Sequence, residues 1–279
     1  MSSFDRLAST VDQRWNIFPL HALVLTGMPV TFPAHQALVL PLKLRWPGLD
    51  GVALCIGSAA PDLSYALLHT NWQFDAHYTW AVVWWCLPVT LLLCWWLRRG
   101  LFAHAALWAP PAWQPGLQRS AARPANLRNA GHAVLGAALG IASHVGWDSF
   151  THGSSPISDR IRILNRIVVT TPVPMTLART LQYAGHTIGS MLALWMLVRV
   201  WRTASPAGQS SSEKWVQHPL RQYAPTLWLG GALLLGAVVA LVSNALMPHE
   251  IAAALLRGFW AALVALTGLV ALARLLGRK

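Results

Sequence analysis

The chain has 279 residues, 55% of them apolar and only 11% charged, with 21 Lys and Arg against 9 Asp and Glu for a net charge of +12. Its three cysteines, Cys55, Cys86 and Cys94, lie in apolar runs without CxxC spacing, which excludes a disulfide framework and a thiolate metal knot. The basic excess excludes nucleic-acid binding as its purpose, because it is gathered into alternate connections between apolar stretches, as the positive-inside rule requires. We therefore expect an all-α, polytopic transmembrane helical bundle of about six spans, with a short N-terminal half-helix and an interfacial helix.

In chain order, residues 1–27 read as an N-terminal extension. They do not resemble a signal peptide, since Asp5 and Asp12 break the basic region and Pro19 and His21 interrupt the apolar run. A short apolar stretch over 35–44, closed by Arg45 and Pro47, is too short to span and reads as a re-entrant half-helix. The first span is expected over 51–68 with one interior charge, Asp62, and the second over 76–97. A basic loop with Pro and Trp follows over 98–128 and should lie along the membrane surface. The third span, 130–150, carries a Gly136-xxx-Gly140 pair that offers a flat surface for close helix packing.

Residues 154–180 begin polar and become amphipathic. Ile157, Ile161, Leu164 and Val168 follow helical spacing with Arg160 and Arg166 off the stripe, so an interfacial helix is expected. The fourth span covers 181–199, and a Ser/Gly-rich linker covers 205–214. Two last spans, 226–247 and 251–275, are joined by the turn Pro248-His249-Glu250. The domain reading is thus an extension (1–27), a membrane core carrying the site (28–201), a cytoplasmic linker (202–225) and a C-terminal helix pair (226–279). Trp80, Trp95, Trp96, Trp201 and Trp228 fall near span ends, where indoles prefer the interface. With the basic loops inside, the C-terminus is cytoplasmic and the turns holding His77, His152 and His249 face outward, although Arg160, Arg162, Arg166 and Arg179 run against that orientation.

The most informative stretch is Ser143 to His152. His144, Asp148 and His152 recur every four residues, which places them within an arc of roughly 80° on one helix face. Ionisable groups at membrane depth are costly and mark function by default. On the expected topology His77, Asp62, His186 and His35 gather at the same level. Imidazole and carboxylate without thiolate suit zinc, manganese or iron. His144 and His152 lie about 12 Å apart along the axis, so one ion cannot take the whole row. Either Asp148 and one His bind a single ion while the other His supports it, or the row serves two ions roughly 4 Å apart. Blander readings stand beside these. His69, His104 and His132 fit packing roles, Asp62 fits a helix cap after Pro61 or an Arg partner, and His186 fits packing through Gly185 and Gly189.

Met28-Pro29-Val30-Thr31-Phe32-Pro33-Ala34-His35, then Gly57-Ser58-Ala59-Ala60-Pro61-Asp62, then the Ser-His-x-x-Trp-Asp-x-Phe-Thr-His stretch at 143–152, resemble the successive signatures of one group. It is the domain-of-unknown-function 4184 family of bacterial multispanning membrane proteins, itself distantly similar to membrane-bound metal-dependent hydrolases. The resemblance covers residues 28–201 well and the last two spans loosely. It implies that His35, Asp62, His77, His144, Asp148 and His152 are site residues, with a weak implication of hydrolase activity. His186 has no matching family position and rests on its placement alone.

Together these readings lead us to expect an integral protein of the bacterial inner membrane, a metal-dependent hydrolase of a lipid-like or membrane-proximal ester or phosphoester. Asp62, His77, His144, Asp148 and His152 are the expected metal residues, and His35 and His186 the expected acid, base or supporting groups. A divalent transition metal, zinc first with manganese or iron as alternatives, is the expected cofactor, and membrane lipid the expected partner. The competing readings are a haem-binding electron carrier, using His132, His144 and His186, and a non-catalytic scaffold or transporter.

Overall fold

The computed structural model describes residues 33–68, 70–77, 79–102, 105, 113–122, 124, 126–152, 155–171, 174–202, 224–246 and 251–276. The extension 1–27, the motif residues 28–32, His69, His104, the 205–214 linker and the 248–250 turn lie outside them. The protein is mostly helical. Among the described residues the departure from the all-α expectation is a two-stranded antiparallel hairpin, β1 (Ile167–Val169) with β2 (Met175–Thr176), in which Ile167 pairs with Thr176.

Helix α1 (Gln36–Arg45) follows a turn at Pro33 and ends with Lys43 and Arg45 in its last turn, where cations suit the helix dipole. Lys43 Nζ donates to the carbonyls of Pro47 and Leu49, each at 2.6 Å, and so folds the connection back against the helix. Helix α2 (Gly51–Gly57) is capped by Asp50, whose Oδ1 accepts from the N–H groups of Val52 and Ala53. The expected span over 51–68 is therefore not one helix. It stops at Gly57, turns, and resumes as a short 3₁₀ helix over Asp62–Leu67. Pro61 explains the break, since it has no N–H to offer the Gly57 carbonyl and its ring collides with that carbonyl in an α-helix.

Helix α3 runs unbroken through Thr79–Ala81, a π turn at Val82–Cys86, Leu87–Leu97 and a second π turn at Arg98–Phe102. Among the described residues this is the run long and apolar enough to cross a membrane: the 21 residues of Val82–Phe102 reach about 31 Å against a hydrocarbon layer of about 30 Å. Near its end Arg98 Nη2 donates to both oxygens of Asp50, at 2.5 and 2.7 Å, with both side chains almost wholly buried. The same carboxylate thus caps α2 and anchors α3. Arg98→Met leaves that carboxylate buried without its counter-ion. We expect a loss of about 3–5 kcal/mol, read as a lowered thermal unfolding midpoint in detergent.

Helix α4 (Gln114–Ala121) precedes α5 (Leu127–Thr151), 25 residues of uninterrupted α-helix capped by Asn126, whose side chain accepts from Asn129 N–H. α5 lies backbone to backbone on α2. A Cβ on Gly136 would sit 2.8 Å from the Asp50 carbonyl, one on Gly57 would sit 2.5 Å from the Ala137 carbonyl, and one on Gly140 would collide with the Leu54 carbonyl. The Gly136-xxx-Gly140 pair is what permits this approach.

The interfacial helix expected over 154–180 does not form. A five-residue helix α6 (Pro156–Arg160), opened by a Ser155/Ser158 capping box, gives way to a 3₁₀ turn over Arg162–Asn165 and then the hairpin. The run Ile167-Val168-Val169-Thr170-Thr171 is β-branched throughout, and Pro172 and Pro174 follow it, so extended backbone wins over the weak helical stripe. Helix α7 then starts at Leu177–Ala184, capped by Thr176, makes a π turn at Gly185–Gly189 and continues through Ser190–Arg202. Helices α8 (Ala224–Leu246) and α9 (Ile251–Leu276) form an antiparallel pair with apolar cores over Gly230–Ala245 and Ala253–Gly268. Arg257 of α9 donates to the carbonyls of Ala66 and Leu68, fastening this pair beside the 3₁₀ helix that carries Asp62.

Candidate metal centre

His144 sits one helical turn beyond Gly140, at the point where α5 is pressed hardest against the C-terminal end of α2. Its ring is fully buried, and its Nδ1 donates to the Ser58 carbonyl at 2.8 Å. That bond fixes the tautomer and leaves the Nε2 lone pair facing inward. One turn further, Asp148 places Oδ2 3.1 Å from that nitrogen. The 3₁₀ helix after Pro61 brings Asp62 Oδ1 to 3.4 Å from it.

His77 completes the group from the loop before α3. Asp75 aims it, with Oδ1 accepting from the His77 backbone N–H at 2.8 Å and lying 3.1 Å from the ring Nδ1. Its Nε2 then lies 3.2 Å from His144 Nε2 and 3.5 Å from both Asp62 Oδ1 and Asp148 Oδ2. Two imidazole nitrogens and two carboxylate oxygens therefore converge on one point.

The edge lengths say what that point fits. Five separations among the four atoms fall between 3.1 and 3.5 Å. Four donors at zinc's ~2.0–2.1 Å bond length in a tetrahedron stand about 3.3–3.4 Å apart. Both imidazoles have Nδ1 committed to an oxygen behind them, the usual support for a ligating histidine. Two bare lone pairs at 3.2 Å would repel, so an ion-free form of the cluster would hold a proton between them. Metal uptake releases that proton. We expect affinity for zinc to rise with pH, by up to about tenfold per unit for each proton released, and acidification to expel the ion, both read by zinc titration in buffers of different ionisation enthalpy.

The other expected site residues surround this group without joining it. His35, immediately before α1, stacks on His144 with ring centroids 4.0 Å apart, and its Nε2 lies 3.5 Å from Asp148 Oδ1. His152, just past the end of α5, does not reach the four-donor point. Its Nδ1 lies 3.6 Å from Asp148 Oδ1, and Gln182 Nε2 donates to its Nε2 at 2.9 Å. His186 lies in the π turn of α7 with both ring nitrogens buried and without hydrogen bonds. His132 is apart from all of these, against Gly48.

Sequence reasoning did not nominate Asp75, Ser58 or Gln182. Asp75 was open to detection from its place two residues before His77, a spacing that lets an Asp side chain accept from the next backbone N–H but one. Ser58 stands inside the Gly57–Asp62 motif, but nothing local marks its carbonyl, or Gln182, for these roles, which depend on tertiary packing.

No curated protein and no solved structure matches the chain. A family model does match, over residues 28–275, and its description is Domain of unknown function (DUF4184). The chain belongs to that family.

Proposed function

We propose that this protein is an integral membrane, metal-dependent hydrolase of a lipid-like ester or phosphoester. The observation that carries the reading is the four-donor cluster of Asp62, His77, His144 and Asp148 with the edge lengths of a tetrahedral site. Zinc is the best match, with manganese or iron as alternatives. A divalent ion held by these four donors would supply Lewis acidity, and a water taken up as a fifth ligand would have its pKa brought towards neutrality. The chain's own groups would hold that ion, with Asp75 and Ser58 fixing the rings of His77 and His144 and with His35, as a proton carrier, beside the second oxygen of Asp148.

The lipid-like substrate is supported by a cavity of about 790 Å³ that follows α2. Val52, Ile56, Leu93, Leu197 and Leu256 make its walls apolar, and Asp62 of the cluster lines it beyond the far end of α2. Lys43, Arg98 and Arg119 line it near the start of α2, where an anionic group finds its counter-charge. Burial pushes the Lys43 ammonium below its usual range, opposed by the nearby Asp50 carboxylate.

We place the protein as a multi-pass protein of the bacterial inner membrane, its cytoplasmic C-terminus following from the basic connections, and insertion is supported by large apolar side chains turned outward on several helices. Leu92 on α3, Met191 and Trp195 on α7, and Leu234 and Leu241 on α8 are each more than half exposed, a surface that water does not favour. Haem carriage is disfavoured because both nitrogens of His144 are engaged. His132 lies twelve residues earlier, about 18 Å along the axis.

The test is metal content of protein purified without chelator, followed by hydrolysis of long-chain and short-chain fluorogenic phosphoesters. Near-stoichiometric transition metal and chelator-sensitive cleavage favouring the long chain are expected. No metal, and none taken up from added zinc or manganese, overturns the reading in favour of a scaffold or transporter. Iron with a Soret band moves it to haem.

A further inference from the structure

Four arginines, Arg160, Arg162, Arg166 and Arg179, run against the orientation that the other basic connections set. The fold places them at the end of the bundle that holds the metal centre. Ser158 Oγ donates to the His152 carbonyl at 2.8 Å and Ser155 Oγ donates to the Ser149 carbonyl, so α6 is clipped onto the end of α5. Asn165 Nδ2 donates to the Ser158 carbonyl at 2.9 Å, which ties the 3₁₀ turn to α6. The Leu177 N–H donates to the Arg166 carbonyl at 2.8 Å, which ties it to the start of α7. The segment therefore hangs from His152, whose Nδ1 lies 3.6 Å from Asp148 Oδ1.

Its inward side is fixed: Ser158 is fully buried and Leu164 nearly so. Two kinds of side chain face out. Arg160, Arg162 and Arg166 are exposed, and the sequence from 155 to 184 supplies one acid, Asp159. Set among these arginines, Ile163, Ile167 and Val168 are each at least half exposed. Cations interleaved with outward apolar side chains suit the boundary of a bilayer. The apolar groups enter the headgroup layer there, and guanidinium forks pair with phosphate oxygens. A second copy of the chain fits poorly, because a two-fold contact would set arginine against arginine. A nucleic acid would leave the isoleucines uncovered.

We infer that the segment 156–169 lies on the membrane surface beside the metal centre and binds the phosphate headgroups of anionic lipids through Arg160, Arg162 and Arg166. The binding stands on this surface alone. Its consequence rests on the proposed hydrolase reading: the lipid ester drawn to this end of the bundle, and so to the four-donor cluster, belongs to an anionic phospholipid. Arg179, half-buried in the first turn of α7, adds its charge to the same end.

The experiment uses the full chain in detergent with a fluorescent phosphatidylglycerol, a phosphatidylcholine of equal chain length as the zwitterionic probe, and anisotropy as the readout. The parent should prefer phosphatidylglycerol, and the preference should shrink as salt rises. Arg162→Gln and Arg166→Gln should each weaken phosphatidylglycerol binding by about fivefold and leave phosphatidylcholine binding unchanged. Arg160, Arg162 and Arg166 all changed to Gln should bind the two lipids alike. The paired change of Arg45 and Arg202 to Gln, at the opposite end of the bundle, should keep the preference. A preference unchanged in the triple variant, or lost in the opposite-end control, overturns the assignment. So does displacement of the lipid by millimolar inorganic phosphate, which would mark a site for the free ion. Metal content of the same samples tests the cluster separately, since none of these variants removes a ligand. Chelator-sensitive cleavage of phosphatidylglycerol, with KM raised and kcat kept in the triple variant, is expected for the delivery; equal cleavage of both lipids by the parent overturns that consequence and leaves the surface standing.

Discussion

Asp148→Ala is expected to leave the purified protein without metal and without chelator-sensitive hydrolysis. The residue supplies Oδ2 to the four-donor point and is 3.1 Å from His144 Nε2, so its removal takes away one donor of four and half of the negative charge that would hold a dication. Asp75→Asn provides the graded comparison. It keeps the shape and keeps an oxygen near His77 Nδ1, but it removes the charge that strengthens that imidazole. Outer partners of this kind are worth about 10–100-fold in metal affinity, so Asp75→Asn should retain zinc at high concentration and lose it to a competing chelator sooner than the parent. Elemental analysis and competitive zinc titration read both. Full zinc occupancy in Asp148→Ala would refute the assignment, and so would identical titration curves for Asp75→Asn and the parent.

How much of this centre was legible beforehand depends on how far each residue's position is set by local chain geometry. His144 and Asp148 share one uninterrupted helix, so the four-residue spacing placed them on one face without any tertiary knowledge. His152 continues that spacing in sequence, but the helix ends at Thr151 and the ring turns to Gln182. The row therefore divides between the two oxygens of Asp148. Asp62 and His77 come from a 3₁₀ turn and a loop, where periodicity says nothing about direction. Of the five residues expected to bind metal, the structure brings Asp62, His77, His144 and Asp148 to one point.

The fold was legible where a long apolar run met no competing signal, as along α3 and α5. It was misread where two local signals competed. Pro61 reads equally as a helix start and as a helix break, and the break won because the residues before it were already helical. At 154–180 an apolar stripe every three or four residues competed with a β-branched run bounded by prolines. The run prevailed, since such a short helix has little to repay its nucleation.

The second large effect is expected from one methyl group. Gly140→Ala should both destabilise the protein and empty the metal centre, although residue 140 touches no ligand atom. A Cβ there collides with the Leu54 carbonyl and stands 2.8 Å from the Ser58 nitrogen, both backbone atoms of the facing α2 segment that no rotamer change can move aside. The two elements must part. The cost is of the order of 1–3 kcal/mol or more for overpacking. What parts with them is the registry of the site, because Ser58 holds the His144 ring and Asp62 follows four residues later on the same segment. A shift of a few tenths of an ångström lengthens the 2.8 Å bond to Ser58 and draws the Asp62 oxygen away from its partners. Gly146→Ala is the control. It lies on the same helix, six residues on, and a Cβ there meets nothing within 4 Å. It should bind zinc as the parent does and gain up to about 1 kcal/mol from better helix propensity. Zinc loss in Gly140→Ala with retention in Gly146→Ala ties the metal centre to the packing of α5 on α2. Equal zinc binding in the two variants would show that the centre tolerates the separation and that its geometry is set by the ligands alone.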